Sequence, residues 1–221
     1  MKSDVSVRER RSLGRDFWCL VSVIGCSGVA RVSEPGHRTM GCNSSTNSTT
    51  KVCSKEVSYF LNASEIRVVR ESWAIVALDL PATGLHIFTR LFEMEKDLKK
   101  LFRRLMSQTE SGEFIFDTVR LERHATLVMK NLGQAVENLD DSSYFSEMLT
   151  ILGEKHSTYN VKPDMLPFLW PAIRDGLKMR LGDKFTVEAE LAWKHLYDYI
   201  ICKLTEGMEH GRPKNKKLQL V

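Results

Sequence analysis

Between about Ser64 and Gly207 the chain repeats apolar residues at helical spacing, broken only by short polar or proline-marked gaps. Ile66, Val69, Trp73, Val76, Ala77 and Leu80 share one face of a first helix, with Asn62 or Ser64 placed to cap it. Leu85, Phe88, Leu91, Phe92 and Leu98 mark a second helix after Pro81. Leu121, His124, Val128, Leu132, Ala135 and Val136 mark a long third. Leu149, Leu152, His156 and Tyr159 define a shorter helix that ends before Pro163. Two more are expected over Phe168 to Leu181 and Thr186 to Met208, the last with Ala189, Ala192, Trp193, Leu196, Ile200, Ile201 and Leu204 along its apolar face. No β-alternating run or hairpin signal appears, so the expected class is all-α.

The pattern fails ahead of residue 63. Residues 1–39 start with Arg8, Arg10, Arg11 and Arg15 and continue into an apolar run from Phe17 to Ala30. This order resembles a secretory signal, and the run is short of the roughly 20 residues a membrane-spanning helix needs. The plainer reading, an upstream extension with no fold of its own, is preferred. Residues 40–62 are rich in Ser, Thr and Asn and read as disordered, because they cannot bury enough apolar surface. Met40-Gly41-Cys42-Asn43-Ser44-Ser45 fits an N-myristoylation pattern at Gly41, with Cys42 open to palmitoylation. That requires translation to start at Met40. Asn43, Asn47 and Asn62 are N-glycosylation sequons, relevant only to a secreted chain. Acylation with residence in the cytoplasm, at the inner face of the plasma membrane, is preferred to secretion. The helical domain is assigned to 63–209 and a polar tail to 210–221.

Composition narrows the classes further. A chain of 221 residues, 43% hydrophobic and 27% charged, has enough apolar surface for one buried core. A net charge of +4, without a dense basic stripe, gives no footprint for nucleic acid. Of the cysteines Cys19, Cys26, Cys42, Cys53 and Cys202, four lie in the first 53 residues, and none has zinc-ligand spacing. Cys42 and Cys53 are open to pairing or lipidation. Cys202, beside Ile201 on the last helix, reads as a reduced, buried thiol.

Two histidines lie on apolar helix faces. His124 follows Leu121 by three and precedes Val128 by four, while His156 follows Leu152 by four and precedes Tyr159 by three. One such histidine is ordinarily a hydrogen-bonded core residue. Two on successive helices, 32 positions apart with a turn between, suit a transition metal, because neutral imidazole is the commonest ligand for one.

Over about 145 residues the sequence resembles a globin. RLF at Arg90 to Phe92, with Phe102 ten residues on, resembles the segment leading to the phenylalanine that stacks on the porphyrin. RHATLVMKNLG, Arg123 to Gly133, resembles the distal helix, and LGEKHSTYNVKP, Leu152 to Pro163, the proximal segment. AWKHLYDYI, Ala192 to Ile200, and the 32-residue spacing resemble the neuroglobin branch. With MGC ahead of the first helix, the nearest likeness is to globin X, an acylated relative. The resemblance implies a globin fold of helices enclosing haem b (iron protoporphyrin IX), with a disordered N-terminal extension. It implies His156 as the proximal iron ligand and His124 as the distal residue. Phe102 then lies on the porphyrin, Val128 one turn beyond His124, Phe88 at the distal cavity and Val161 at the haem edge.

Some positions depart from the family pattern. Lys96 stands where many globins have proline, which loosens that turn. Leu127 replaces a basic residue that often meets a haem propionate, leaving Arg103, Arg104, Arg123 or Lys162 as substitutes. Pro171 is expected inside a helix, where it should kink it.

The implied function is reversible binding of dioxygen, carbon monoxide or nitric oxide, for oxygen transport or sensing. Neuroglobin-like resting iron would carry both histidines, so affinity would fall by the fraction of molecules in the open state. An alternative is redox chemistry, nitrite reduction or nitric oxide oxidation, with an external reductase, since no dinucleotide-binding glycine motif follows a strand. A further alternative is a haem-free helical module for protein interaction.

Overall fold

The computed structural model describes residues 60–211, which belong to one compact unit spanning residues 50–221. The signal-like stretch, the acylation motif at Gly41 and Cys42, the sequons at Asn43 and Asn47, and most of the polar tail lie outside the described residues.

Among the described residues there are six α-helices, and most start where a short polar side chain can satisfy free backbone N–H groups. Helix α1 runs Ala63–Val76. The Asn62 side chain accepts from the amides of Ser64 (2.9 Å) and Glu65 (3.0 Å), while Glu65 accepts from the Asn62 amide at 2.9 Å. This reciprocal cap occupies the Asn62 sequon side chain. After a 3₁₀ turn at Ala77–Asp79, α2 runs Leu80–Met94 with Asp79 as its cap and Pro81 in its first turn. A 3₁₀ segment, Lys96–Leu105, follows and is kinked at Phe102. Leu98 therefore belongs to this segment and not to the second helix.

A small antiparallel ribbon comes next, β1 (Met106–Gln108) paired with β2 (Phe114–Phe116). It corrects the expectation of no hairpin. Its turn is closed by Thr109, whose amide donates to the Glu113 carbonyl at 2.8 Å, and by Gly112 at φ +86°. Helix α3 (Thr118–Glu137) is capped by Asp117 and α4 (Ser142–Thr158) by Asp141. A 3₁₀ turn at Pro163–Phe168 leads into α5 (Leu169–Leu181), and a second at Gly182–Lys184 precedes α6 (Val187–Gly211). Helix α6 thus extends two residues past the assigned domain end. Pro171 is the third residue of α5, where a missing N–H removes no intrahelical bond. The expected interior kink does not arise there.

The apolar faces meet in pairs: α4 on α6, α2 on α3 and on α5, and α1 on α6. Trp193, Phe145, Leu139, Leu177, Leu196, Met208, Val69 and Val76 are fully enclosed at the centre. The Trp193 indole N–H donates to Ser72 Oγ at 2.8 Å, and that hydroxyl in turn donates to the Val68 carbonyl at 2.7 Å. A buried polar pair is thereby satisfied across α1 and α6.

Candidate functional site

His124 stands in the second turn of α3 and His156 in the last turn of α4. Helix α3 reaches its place because α2 carries Gly84 at the crossing. A Cβ built there would lie 2.9 Å from the Ala125 carbonyl oxygen and 2.9 Å from Met129 Cγ. Any larger residue would push away the turn that holds His124. This close approach was not foreseen from the sequence, although an isolated glycine inside a helical pattern is a signal for a packing contact.

The His124 ring lies in an aromatic nest. Its centroid is 5.2 Å from Phe88 and 5.7 Å from Phe102, both edge-on. Phe88 and Phe102 are 5.9 Å apart, and Phe92 sits 5.0 Å from Phe102 on the other side. Phe92 stacks in turn on Phe116 of the ribbon at 4.4 Å. The ribbon therefore supports the kinked segment that presents Phe102, a role that sequence reading missed. Val128 follows His124 by one turn and is half-buried. Val161 is held just beyond α4, its amide donating to the His156 carbonyl at 3.3 Å.

The two imidazoles differ in how they are held. His156 Nδ1 lies 2.8 Å from the Leu152 carbonyl oxygen. A carbonyl only accepts, so the proton is on Nδ1, and Nε2 keeps its lone pair for a ligand. His124 Nδ1 is buried with no hydrogen-bond partner. Burial pushes the His124 pKa down to about 4, and the charge of nearby His156 acts in the same direction. Burial likewise holds His156 below its ordinary value, against the pull of its bond to Leu152. Both rings are thus neutral near pH 7 and able to donate to a metal.

Among the described residues no group of three His, Cys, Asp or Glu side chains converges on a metal position. Two imidazoles alone would leave a bare transition-metal ion under-coordinated. They fit a metal that arrives with an equatorial donor set of its own, as the iron of a porphyrin does. The apolar rings of Phe88, Phe92 and Phe102 suit the faces of such a macrocycle. Arg103, Arg104, Arg123 and Lys162 are all exposed. Leu127 is half-buried, so its side chain offers no substitute for a cation. A separate groove of about 580 Å³, lined by Phe60, Ser146, Thr150, Tyr199 and Lys203 among others, contains neither histidine.

Comparison with known proteins agrees with this geometry. The Globin family model matches residues 85–204, more than half of the chain. The chain belongs to the globin family. It is similar to the neuroglobin of Tetraodon nigroviridis, 27% identical over 147 residues, covering 66% of this chain and 92% of that one. The neuroglobin of Danio rerio is 29% identical over 140 residues, 63% of this chain and 87% of its own. The fold also matches a hexacoordinated haem protein from an anhydrobiotic tardigrade, with a TM-score of 0.59 at 21% identity. That match covers 67% of this chain and 96% of the other. Membership of this family makes the chain a haem-binding globin.

Proposed function

We propose that the group bound is haem b, that His156 Nε2 is its proximal ligand, and that His124 is a displaceable distal ligand. The observation that carries this reading is the pair of neutral, half-buried imidazoles, one oriented by Leu152 and the other with a buried Nδ1 that lacks any partner. Haem iron supplies the position at which dioxygen, carbon monoxide or nitric oxide binds. The chain's own residues do the rest. Leu152 fixes the ring of His156. Phe88, Phe102, Val128 and Val161 exclude water. His124, once released, is within the pocket to donate a hydrogen bond to a diatomic ligand. Ligand affinity is then scaled down by the fraction of molecules in the open state, in which His124 has left the iron. The likeness to a hexacoordinated haem protein supports this arrangement. Titrating the purified chain with haemin tests the cofactor: one equivalent should be retained by the native protein and lost from His156→Ala.

A redox role is the second reading. Lys96, Lys100, Arg103 and Arg104 are exposed on the segment that bears Phe102, against the single acid Asp97. Such a cationic rim draws anions, nitrite included, and an acidic external reductase. Nitrite turnover that falls steeply with ionic strength would support this role.

We place the protein in the cytoplasm, at the inner face of the plasma membrane when translation starts at Met40. Gly41 and Cys42 would then carry the two acyl chains that stable anchoring needs. Membrane association unchanged by Gly41→Ala would exclude it.

A further inference from the structure

Nine large apolar side chains stand exposed among the described residues, and three of them, Phe114, Ile115 and Val119, fall within six positions. They are 63%, 53% and 66% exposed, on β2 and the first turn of α3. We propose that this apolar knuckle is a docking surface for a second copy of the same chain, related by a two-fold axis so that the tip of each ribbon meets the base of the other.

The charges around the ribbon select that occupant. No Lys, Arg or His lies between Leu105 and Val119, and the turn carries two exposed glutamates, Glu110 and Glu113. The arginines are gathered at the other end. Arg103 and Arg104 stand just ahead of β1, and Arg120 and Arg123 lie on α3, against the two acids Asp117 and Glu122. Asp117 caps α3 and pairs with Arg120 at 3.3 Å. Arg123 follows Val119 by four positions, which puts both on one helix face. The patch thus has an apolar middle, two negative charges at its tip, and four arginines less two acids at its base. An anionic lipid surface or an acidic protein would meet the glutamates with like charge. A basic partner would meet the arginines in the same way. A copy turned by a two-fold axis meets each end with its opposite and the apolar middle with itself, as an isologous contact requires.

The backbone suits the same contact. The ribbon has two strands, so β2 has no strand along its outer edge. The Thr109 amide donates to the Glu113 carbonyl at 2.8 Å and the Asp117 amide to the Leu105 carbonyl at 2.9 Å. In that alternation the backbone groups of Phe114 and Phe116 turn outward. Such edges are commonly blunted by lysine, proline or an inward-pointing charge, and Phe114–Phe116 contains none of these. The surface adjoins the distal site, because Phe116 on the same strand stacks on Phe92 at 4.4 Å. Three apolar side chains cover well under the roughly 800 Å² per partner of a stable interface, so the dimer is weak, with a Kd on the order of 0.1 mM.

The test is sedimentation velocity of the purified full chain from about 10 μM to about 1 mM, a range that brackets this Kd. Dithiothreitol is present, so that no intermolecular disulfide contributes. The average mass should rise towards that of a dimer at the top of the range. Ile115→Asp should keep the chain monomeric throughout with unchanged helical circular dichroism, and Phe114→Ser replaces it if that variant does not fold. Glu110→Arg with Glu113→Arg, and separately Arg103→Glu with Arg123→Glu, should each weaken self-association at least tenfold. An equimolar mixture of these two variants should restore it, because every tip then faces a base of opposite sign. A chain monomeric at the highest concentration, a dimer indifferent to these substitutions, or a mixture that stays monomeric would overturn the proposal. So would binding of the monomer to phosphatidylserine vesicles that Ile115→Asp abolishes, which would assign the knuckle to lipid. None of these readouts depends on haem.

Discussion

Gly153 rests directly on the backbone of Leu204, with no space between α4 and α6 for a side chain. Gly207 meets Thr150 in the same way one turn further along, so the two helices cross backbone to backbone. His156 lies one turn beyond Gly153, and its position is set by this crossing. Gly153→Val should therefore separate the helices and disturb the proximal ligand. Overpacking of this kind costs about 1–3 kcal/mol or more. The expected result is a melting temperature lower by at least several degrees together with faster haem loss. Unchanged haem retention would show that the crossing does not position His156.

Gly84→Leu tests the opposite wall. The new side chain would meet the Ala125 carbonyl and Met129, pushing out the α3 turn that carries His124. The distal spectral signature should change more than the proximal one, read as an altered low-spin fraction with haem still retained.

His124→Leu separates stability from ligation. The buried Nδ1 has no partner, and an unsatisfied buried group of this kind costs about 1–3 kcal/mol. Replacing the ring with a hydrocarbon should leave the haem-free protein as stable as before or more so, by chemical denaturation. The holoprotein should in turn bind carbon monoxide faster, because no internal ligand has to leave. A destabilised haem-free variant would mean that the imidazole is held by contacts the nest of phenylalanines does not reveal.

Much of this was legible in the sequence because helical periodicity reports burial directly. The faces through Val69, Val76, Leu121, Leu149 and Leu196 all turn inward as their spacing requires. His124 and His156 stood out for the same reason, since each interrupts an apolar face. The ribbon escaped notice because three-residue strands are too short to show alternation, and the exposed Phe114 and Ile115 break the inward pattern. The glycine crossings depend on the facing surface of another helix, which periodicity along one chain does not encode. The Pro171 expectation fails for want of an accurate helix start, and Cys202, expected as a reduced thiol, is disulfide-bonded, which spacing along one helix does not encode.

Acid should weaken the joint between α1 and α6. Burial by itself would raise the Glu65 carboxyl, but hydrogen bonds from His195 (2.9 Å) and the Asn62 amide hold it below its ordinary 4.5. A carboxylate depressed in the folded state contributes stability above the unfolded pKa and loses it as pH falls through the folded one. Melting curves of the haem-free protein and of Glu65→Gln should differ at pH 6 and converge once the pH has fallen through the lowered Glu65 pKa, beneath the ordinary carboxylate range. A difference that persisted in strong acid would assign the effect to packing.

Ligation of one iron by both His156 and His124 is read from the visible spectrum of the dithionite-reduced holoprotein, before and after carbon monoxide. Sharp, split bands that carbon monoxide replaces are expected, with His124→Leu giving a broad high-spin spectrum before the gas is added. A broad high-spin band from the unmodified protein would contradict distal ligation by His124.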